Sequence, residues 1–344
     1  MSDMHGLVPA TQTAIVIPLD ELEAEARRII DQGRSANTRR AYRKHWQRFG
    51  AWCNGRGLPG LPATPETVVA YLTERARTHK VATVELDATA IGAAHRVVRE
   101  PNPCATELVR AFLRGLRRDK GIARSKKAPL TRDLLERGLP VVENAHVSEG
   151  LRARYVTALR DRAMLLLGFW SGCRRAELVA LTIGDVQAHP SGLAVHVRRS
   201  KTDQEGVGTL IGVPYVPNRS NGLPVCPVGA VAAWLVIAPG GSSAPLFRAV
   251  RRNGATGHRH LHPKIIAEAV KRCAVAAGVD PVPYSGHSLR SGLATEAAQA
   301  GIEARLIQRQ LRHATSTMTD EYIHAASAFD NAANALAVRP RSVR

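Results

Sequence analysis

From Ser35 onward nearly every apolar run in this chain recurs at three- and four-residue spacing, and the pattern switches to alternation only between Leu193 and Val213. The longer period lines side chains along one face of a helix, the shorter along one face of a strand. The spacing therefore predicts a mainly α protein with a small antiparallel β-sheet. A length of 344 residues suggests roughly two domains.

The front of the chain reads as a small all-helical unit. Ser35 is placed to cap a helix in which Tyr42, Trp46, Phe49 and Trp52 share one face, a stripe regular enough to be core. Thr64, Pro65 and Glu66 form a helix start, and Val68, Val69, Tyr71 and Leu72 give that helix its apolar side. Further helical stretches follow over 83–98 and 106–116. Residues 35–128 hold 19 Lys or Arg against 7 Asp or Glu, a net +12, which is most of the whole chain's +19. An excess of this size points to a polyanionic partner. Arg39, Arg40, Arg43 and Lys44, interleaved with the aromatic stripe, are candidate DNA contacts. Residues 1–34 carry 3 basic and 6 acidic side chains and do not read as a basic clamping arm.

From Arg117 to Pro129 the sequence has the cation, glycine and proline content of a linker, and Arg124, Lys126 and Lys127 are spaced to lie along a DNA backbone. The expected organisation is an extension over 1–34, a helical DNA-clamping domain over 35–118, a basic linker over 119–129, a mixed domain over 130–338 and a tail over 339–344. In the mixed domain an apolar helix over 161–170 ends at Gly172, a short helix spans 174–181, and 193–199 with 209–213 form a hairpin. Helical patterning then returns over 228–237, 263–277, 287–300, 303–311 and 316–325. Five cysteines, odd in number and widely spaced, contain no C-x-x-C pair, so the chain reads as a reduced, cytoplasmic protein. No signal-peptide core and no apolar run of about 18 residues is present.

Six positions in the second half carry the inventory for attack on a phosphodiester. Arg174 and Glu177 stand three residues apart, so the carboxylate orients a guanidinium suited to a phosphate. His287 and Arg290 repeat that spacing at a helix start, where the dipole also favours an anion. His313 and Tyr322 are nine residues apart; on one continuous helix they would face opposite sides. The break at Ala314, Thr315 and Ser316 must therefore re-aim the second helix. Lys201, in the hairpin turn, completes the set. Attack on a phosphate anion calls for preorganised cations, a proton donor and an aligned nucleophile, and these side chains supply all three with no metal and no cofactor. His258, His260 and His262 contain a zinc-like His-x-His, but with no cysteine or carboxylate beside them they read as a loop facing DNA or water. Tyr284 is the rival nucleophile and fits packing better.

The order and spacing of G-x-R-x-A-E-L at Gly172 to Leu178, a hairpin lysine at Lys201, H-x-L-R at His287 to Arg290, and a His followed nine residues later by Tyr322 resemble the tyrosine recombinase (phage integrase) family, simple two-domain type. The likeness runs from Ser35 to about Leu336. It implies a SAM-like helical core-binding domain followed by an α+β catalytic domain. It also implies site-specific recombination of double-stranded DNA by a homotetramer on two sites, through a 3′-phosphotyrosyl bond and a Holliday junction. On that likeness Tyr322 is the nucleophile and Lys201 protonates the 5′-oxygen. Arg174 and Arg290 hold the non-bridging oxygens, His287 assists proton transfer, His313 hydrogen-bonds the phosphate and Glu177 supports Arg174. Residues 330–336 are placed to dock on a neighbouring protomer or on their own domain.

Two departures stand out: Arg312 where the family usually has glycine, and Ser291–Gly292 for its commoner His or Arg followed by Thr or Gly. Neither is expected to touch a catalytic position. A type IB topoisomerase would share the chemistry, acting as a monomer with little sequence preference. A DNA-binding protein on the same scaffold would share only the fold.

Overall fold

The computed structural model describes residues 33, 35–121, 127–139, 149–200, 203, 206–217 and 225–326. Lys201, Arg124, Lys126 and the segment 330–336 lie outside the described residues. The chain divides into two units, Met1–Arg124 and Ser125–Arg344.

The first unit is built from four helices: α1 (Ala36–Asn54), α2 (Pro65–Thr78), α3 (Val81–Val97) and α4 (Glu107–Lys120), with a 3-10 turn over Pro103–Ala105. Ser35 and Thr64 cap the first two helices through side-chain oxygens that accept from Thr38 N and Thr67 N, satisfying donors the helix leaves orphaned. The aromatic stripe is core: Phe49 is fully buried and meets Tyr71 edge-on at 5.1 Å, with Trp46 at 5.7 Å from Phe49. Arg39, Arg40, Arg43 and Lys44 project from the exposed side of α1.

Residues 119 and 120, expected in the linker, belong instead with 117 and 118 to the last turn of α4. Arg117 Nε donates to Glu85 Oε1 at 2.5 Å and Lys120 Nζ to the Ala76 carbonyl, so these cations are drawn onto the helices beside them. Gly121, at φ +68°, ends the helix in a conformation that glycine adopts without strain.

A buried carboxylate ties three of these helices together. Asp87 on α3 is fully buried; its Oδ1 lies 2.5 Å from His45 Nδ1 on α1, and its Oδ2 accepts from Arg75 Nε on α2 at 2.9 Å. The Tyr71 hydroxyl also donates to it at 3.4 Å, and the phenol's pKa is raised by burial and by the adjacent negative charge.

The second unit begins as Ala128 N donates to Pro283 O and Leu130 N to Ser288 O. Lys127 is exposed, with Nζ on the Val282 carbonyl. Helix α5 (Arg132–Gly138) and the long α6 (Glu149–Ser171) lead to a short α7 (Arg175–Ala180). A three-stranded antiparallel sheet follows, β1 (Val186–His189), β2 (Gly192–Val197) and β3 (Thr209–Pro214), with β2 in the middle. Alternation placed the hairpin correctly: Val195 pairs with Ile211 and Val197 with Thr209, and Leu193, Val195, Val197, Ile211 and Val213 turn inward.

Beyond α8 (Pro227–Ile237) comes a second, two-stranded sheet, β4 (Arg248–Val250) and β5 (Thr256–His260), that the sequence pattern did not predict. His258 and His260 lie on this strand rather than in a loop, and His260 Nδ1 sits 2.8 Å from the Val179 carbonyl. Helices α9 (Lys264–Ala276), α10 (Ser288–Gln299), α11 (Ala304–Leu311) and α12 (Thr317–Ala326) complete the unit. Its core gathers Met164, Leu166 and Phe169 of α6 with Trp234 of α8, Val270 of α9 and Leu289 of α10; Tyr284 is buried in it, in a packing role.

Removing the Asp87 carboxylate would strand Arg75 without its counter-charge and His45 without its hydrogen-bond partner, the costly way to break a buried pair. Asp87→Ala is expected to lower stability by about 3–5 kcal/mol, read by urea denaturation of the full chain through Trp46 and Trp52 fluorescence.

Candidate active site

The site is assembled from three stretches of the second unit: the α6–α7 junction, the start of α10, and the turn between α11 and α12. At the first, Gly172 ends α6 at φ +60°, and a side chain there would meet Leu311 Cδ2 at 2.7 Å. Glycine is needed on both counts, for its backbone and for the close approach of α11. Gln310 Nε2 donates to the Trp170 carbonyl at 2.9 Å and fixes the same approach.

Arg174 is the residue just before α7, not a member of its first turn, so its contact with Glu177 is a cap rather than a pair on one helical face. Glu177 Oε2 accepts from Arg174 N at 2.8 Å, and Oε1 accepts from Arg174 Nη1 at 2.8 Å. Arg174 thereby spends part of its guanidinium on Glu177 and keeps a partly exposed edge.

Helix α10 carries the second guanidinium. His287 precedes the first turn, and Arg290 is 2% exposed with Nη1 donating to the Gly172 carbonyl at 2.7 Å. Its Nη2 is buried and has no hydrogen-bond partner among the described residues. A buried unpaired donor of a charged group is expensive, and its plain use is to receive an anion. Burial, then the charges of Arg174 and Arg312, push Arg290 down to about 10. Gly292 lets α10 lie against the incoming chain, since a Cβ there would fall 2.0 Å from Leu130 O.

The third stretch brings His313 and Tyr322 together. Arg312 adopts a left-handed conformation, φ 54° and ψ 49°, that closes α11 and reverses the chain. The imidazole of His313 and the ring of Tyr322 then lie face to face, 6.2 Å apart and inclined by 12°. The required re-aiming of the second helix is met by this turn. His313 is buried, and its Nδ1 is 2.9 Å from Thr319 Oγ1. Tyr322 packs on Ala294, Ile307 and Leu311, and Arg290 feels its phenol electrostatically. His313 is pushed down to about 4, first by burial and then by Arg290, Arg174, His287 and Arg312. His287, at the exposed rim, is held below the ordinary histidine range by desolvation in the crowded mouth and by Arg290, Arg175 and Arg174. Both shifts favour the neutral imidazole.

Five of the six expected side chains thus gather, while Lys201 lies outside the described residues. The expectation that Arg312 stays clear of the catalytic positions is wrong. Its Nη2 donates to Glu177 Oε2 at 2.6 Å, and its carbonyl accepts from Arg174 Nη2 at 3.4 Å. The only signal of this in the sequence is the presence of a long cation in place of glycine.

A family model described as the phage integrase family matches residues 147–328. An integrase/recombinase xerD homolog of Selenomonas ruminantium is 34% identical over 319 residues, covering 92% of this chain and 89% of that protein. The chain belongs to the phage integrase family. The tyrosine recombinases of this family are enzymes that cleave and rejoin DNA. Among solved structures, a lambda integrase tetramer bound to a Holliday junction shares the fold, with a TM-score of 0.56, 18% identity, and coverage of 90% of this chain and 78% of that one. The XerH site-specific recombinase in a post-cleavage complex with a palindromic difH substrate has a TM-score of 0.52 and 16% identity over 78% of this chain and 73% of its own. Relatedness to the phage integrase family was legible in the motifs, and so was the pairing of a helical unit with an α+β unit.

The depressed His313 ties this tyrosine recombinase's stability to pH. Its folded value of about 4 lies below the ordinary histidine value of about 6.5, so as pH falls the unfolded chain takes up the proton first. Stability is intact above about pH 7 and is lost as pH falls from about 6.5 to 4, by up to about 3 kcal/mol. Between about pH 7 and 4.5, wild type is expected to lose about 2–3 kcal/mol more than His313→Asn in urea denaturation; equal losses would refute the assignment.

Proposed function

We propose that this tyrosine recombinase carries out site-specific recombination on double-stranded DNA, cutting each strand through a 3′-phosphotyrosyl bond to Tyr322. The observation that carries the reading is the buried Nη2 of Arg290, without a partner among the described residues, beside Arg174, His313 and Tyr322. Arg174 and Arg290 take the two non-bridging oxygens, His313 donates to one of them and Glu177 holds Arg174. A tyrosine of pKa about 10 is protonated at neutral pH, so attack needs its proton removed as the bond to phosphorus forms. Neutral His287 at the rim is the base available for that transfer. Lys201 protonates the departing 5′-oxygen. The phosphotyrosine conserves the bond energy, and attack by a 5′-hydroxyl from the second duplex rejoins the strands with no nucleotide cofactor.

Two such exchanges in succession pass through a Holliday junction and require four active sites on two duplexes, hence a homotetramer. The lambda integrase tetramer on a Holliday junction, whose fold this chain shares, supports that reading. Arg39, Arg40, Arg43 and Lys44 on the exposed side of α1, with Arg124, Lys126 and Lys127, supply the positive surface for the duplex. The protein works in the cytoplasm, on DNA.

Duplexes selected from a random-sequence pool by the wild-type protein, and rebuilt with a nick that lets the cut strand escape, test the reading. Wild type is expected to form a detergent-resistant adduct through Tyr322 with a free 5′-hydroxyl. Tyr322→Phe should bind the same duplexes and form none. An adduct on another residue, or one surviving in Tyr322→Phe, would overturn the mechanism.

A further inference from the structure

Arg312 joins two observations that have no common explanation in the chemistry above. Its backbone sits in the left-handed region, which is unfavourable for a residue with a Cβ. Its guanidinium is 8% exposed and turned inward, toward a site already holding Arg174 and the buried Arg290. A third cation there is repelled by the other two unless it has a purpose and a partner.

The partner is Glu177, 4% exposed, whose two oxygens are divided between two arginines: Oε1 to Arg174 Nη1, Oε2 to Arg312 Nη2 at 2.6 Å and to Arg174 N. Arg312 Nη1 reaches the Gln310 carbonyl at 3.3 Å, and its Nε is buried without a partner among the described residues. The carboxylate is thus gripped from both sides and cannot swing. Nor can it cancel Arg174: Arg174, Arg290 and Arg312 against Glu177 leave two net positive charges where Arg174 and Arg290 alone against Glu177 would leave one. In a water-poor site one charge weighs heavily on a phosphate gaining charge during attack. Glu177 itself feels burial, which favours its neutral form, yet Arg312 and then Arg174 hold it below the usual carboxylate range.

We propose that Arg312 is a positioning residue of the phosphate site, which clamps Glu177 from the side opposite Arg174, so aiming Arg174 at the phosphate and preserving the site's positive charge. This rests on the reading that Arg174 and Arg290 bind the scissile phosphate. The left-handed turn serves the same end, since it points the Arg312 carbonyl at Arg174 Nη2 and its side chain at Glu177.

Glycine at this position keeps the turn and deletes only the guanidinium, so Arg312→Gly isolates the side chain. On the selected duplexes, Arg312→Gly is expected to cleave at least tenfold more slowly in single turnover while its Kd for the same DNA changes less than threefold. Arg312→Lys, which keeps the charge, should recover part of the rate. Because the effect runs through Glu177, the losses of Arg312→Gly and Glu177→Gln should fall well short of multiplying in the double variant. Wild-type cleavage speed in Arg312→Gly, a loss confined to Kd, or losses that multiply in the double variant would each overturn the proposal. Absence of a Tyr322 adduct with the wild-type protein would overturn the reading beneath it instead.

Discussion

Three guanidiniums cannot be brought into one buried site unless something negative holds them there, and in this chain that something is the carboxylate of Glu177. It accepts from the backbone and side chain of Arg174 and from the side chain of Arg312, residues 138 positions apart in sequence. The α6–α7 junction and the α11–α12 turn are thereby fastened to one another at the candidate active site. Arg290, on a third helix, is held by the Gly172 carbonyl beside them. What looks like a support for one arginine is the charge around which the site condenses.

The geometry depends equally on two chain reversals. Gly172 and Arg312 both occupy the left-handed region, one ending the helix before Arg174 and the other ending the helix before His313. Tyr322 comes from within α12, while Arg174, His287 and His313 sit at helix ends, just outside regular structure. There the backbone carbonyls of Gly172 and Arg312 are free of helical partners and can orient guanidiniums.

Much of this was legible in the residue pattern, because helix starts and apolar stripes are local. Ser35, Thr64 and Pro65 mark boundaries by chemistry that needs no tertiary information, and the alternation over 193–213 sets the register of β2 against β3. Arg174, His287, Arg290, His313 and Tyr322 stood out by the order and spacing of their motifs, and the structure brings them together. The pattern failed where distant contacts decide. The β4–β5 hairpin is short and polar, with Thr256 to His260 presenting little apolar alternation, so it is stabilised by packing on the rest of the unit. Residues 117–120 look like a charged linker, yet Glu85 and the Ala76 carbonyl, supplied by other helices, extend α4 through them. Arg312 resembled a harmless departure because no local rule says that a long side chain will fold back 135 positions to a buried glutamate.

The unpartnered Nη2 of Arg290 has a consequence for how this fold behaves when empty. A site that gathers cations ahead of its substrate holds them against burial and against their mutual repulsion, and both push Arg290 down, burial first. Occupancy by any oxyanion relieves the repulsion, so the native state is most stable when loaded, and DNA acts as a structural counterion as well as a reactant. Variants chosen for thermal robustness without regard to activity would therefore collect in this cluster, replacing a cation by an apolar side chain and gaining stability by discarding the readiness for attack.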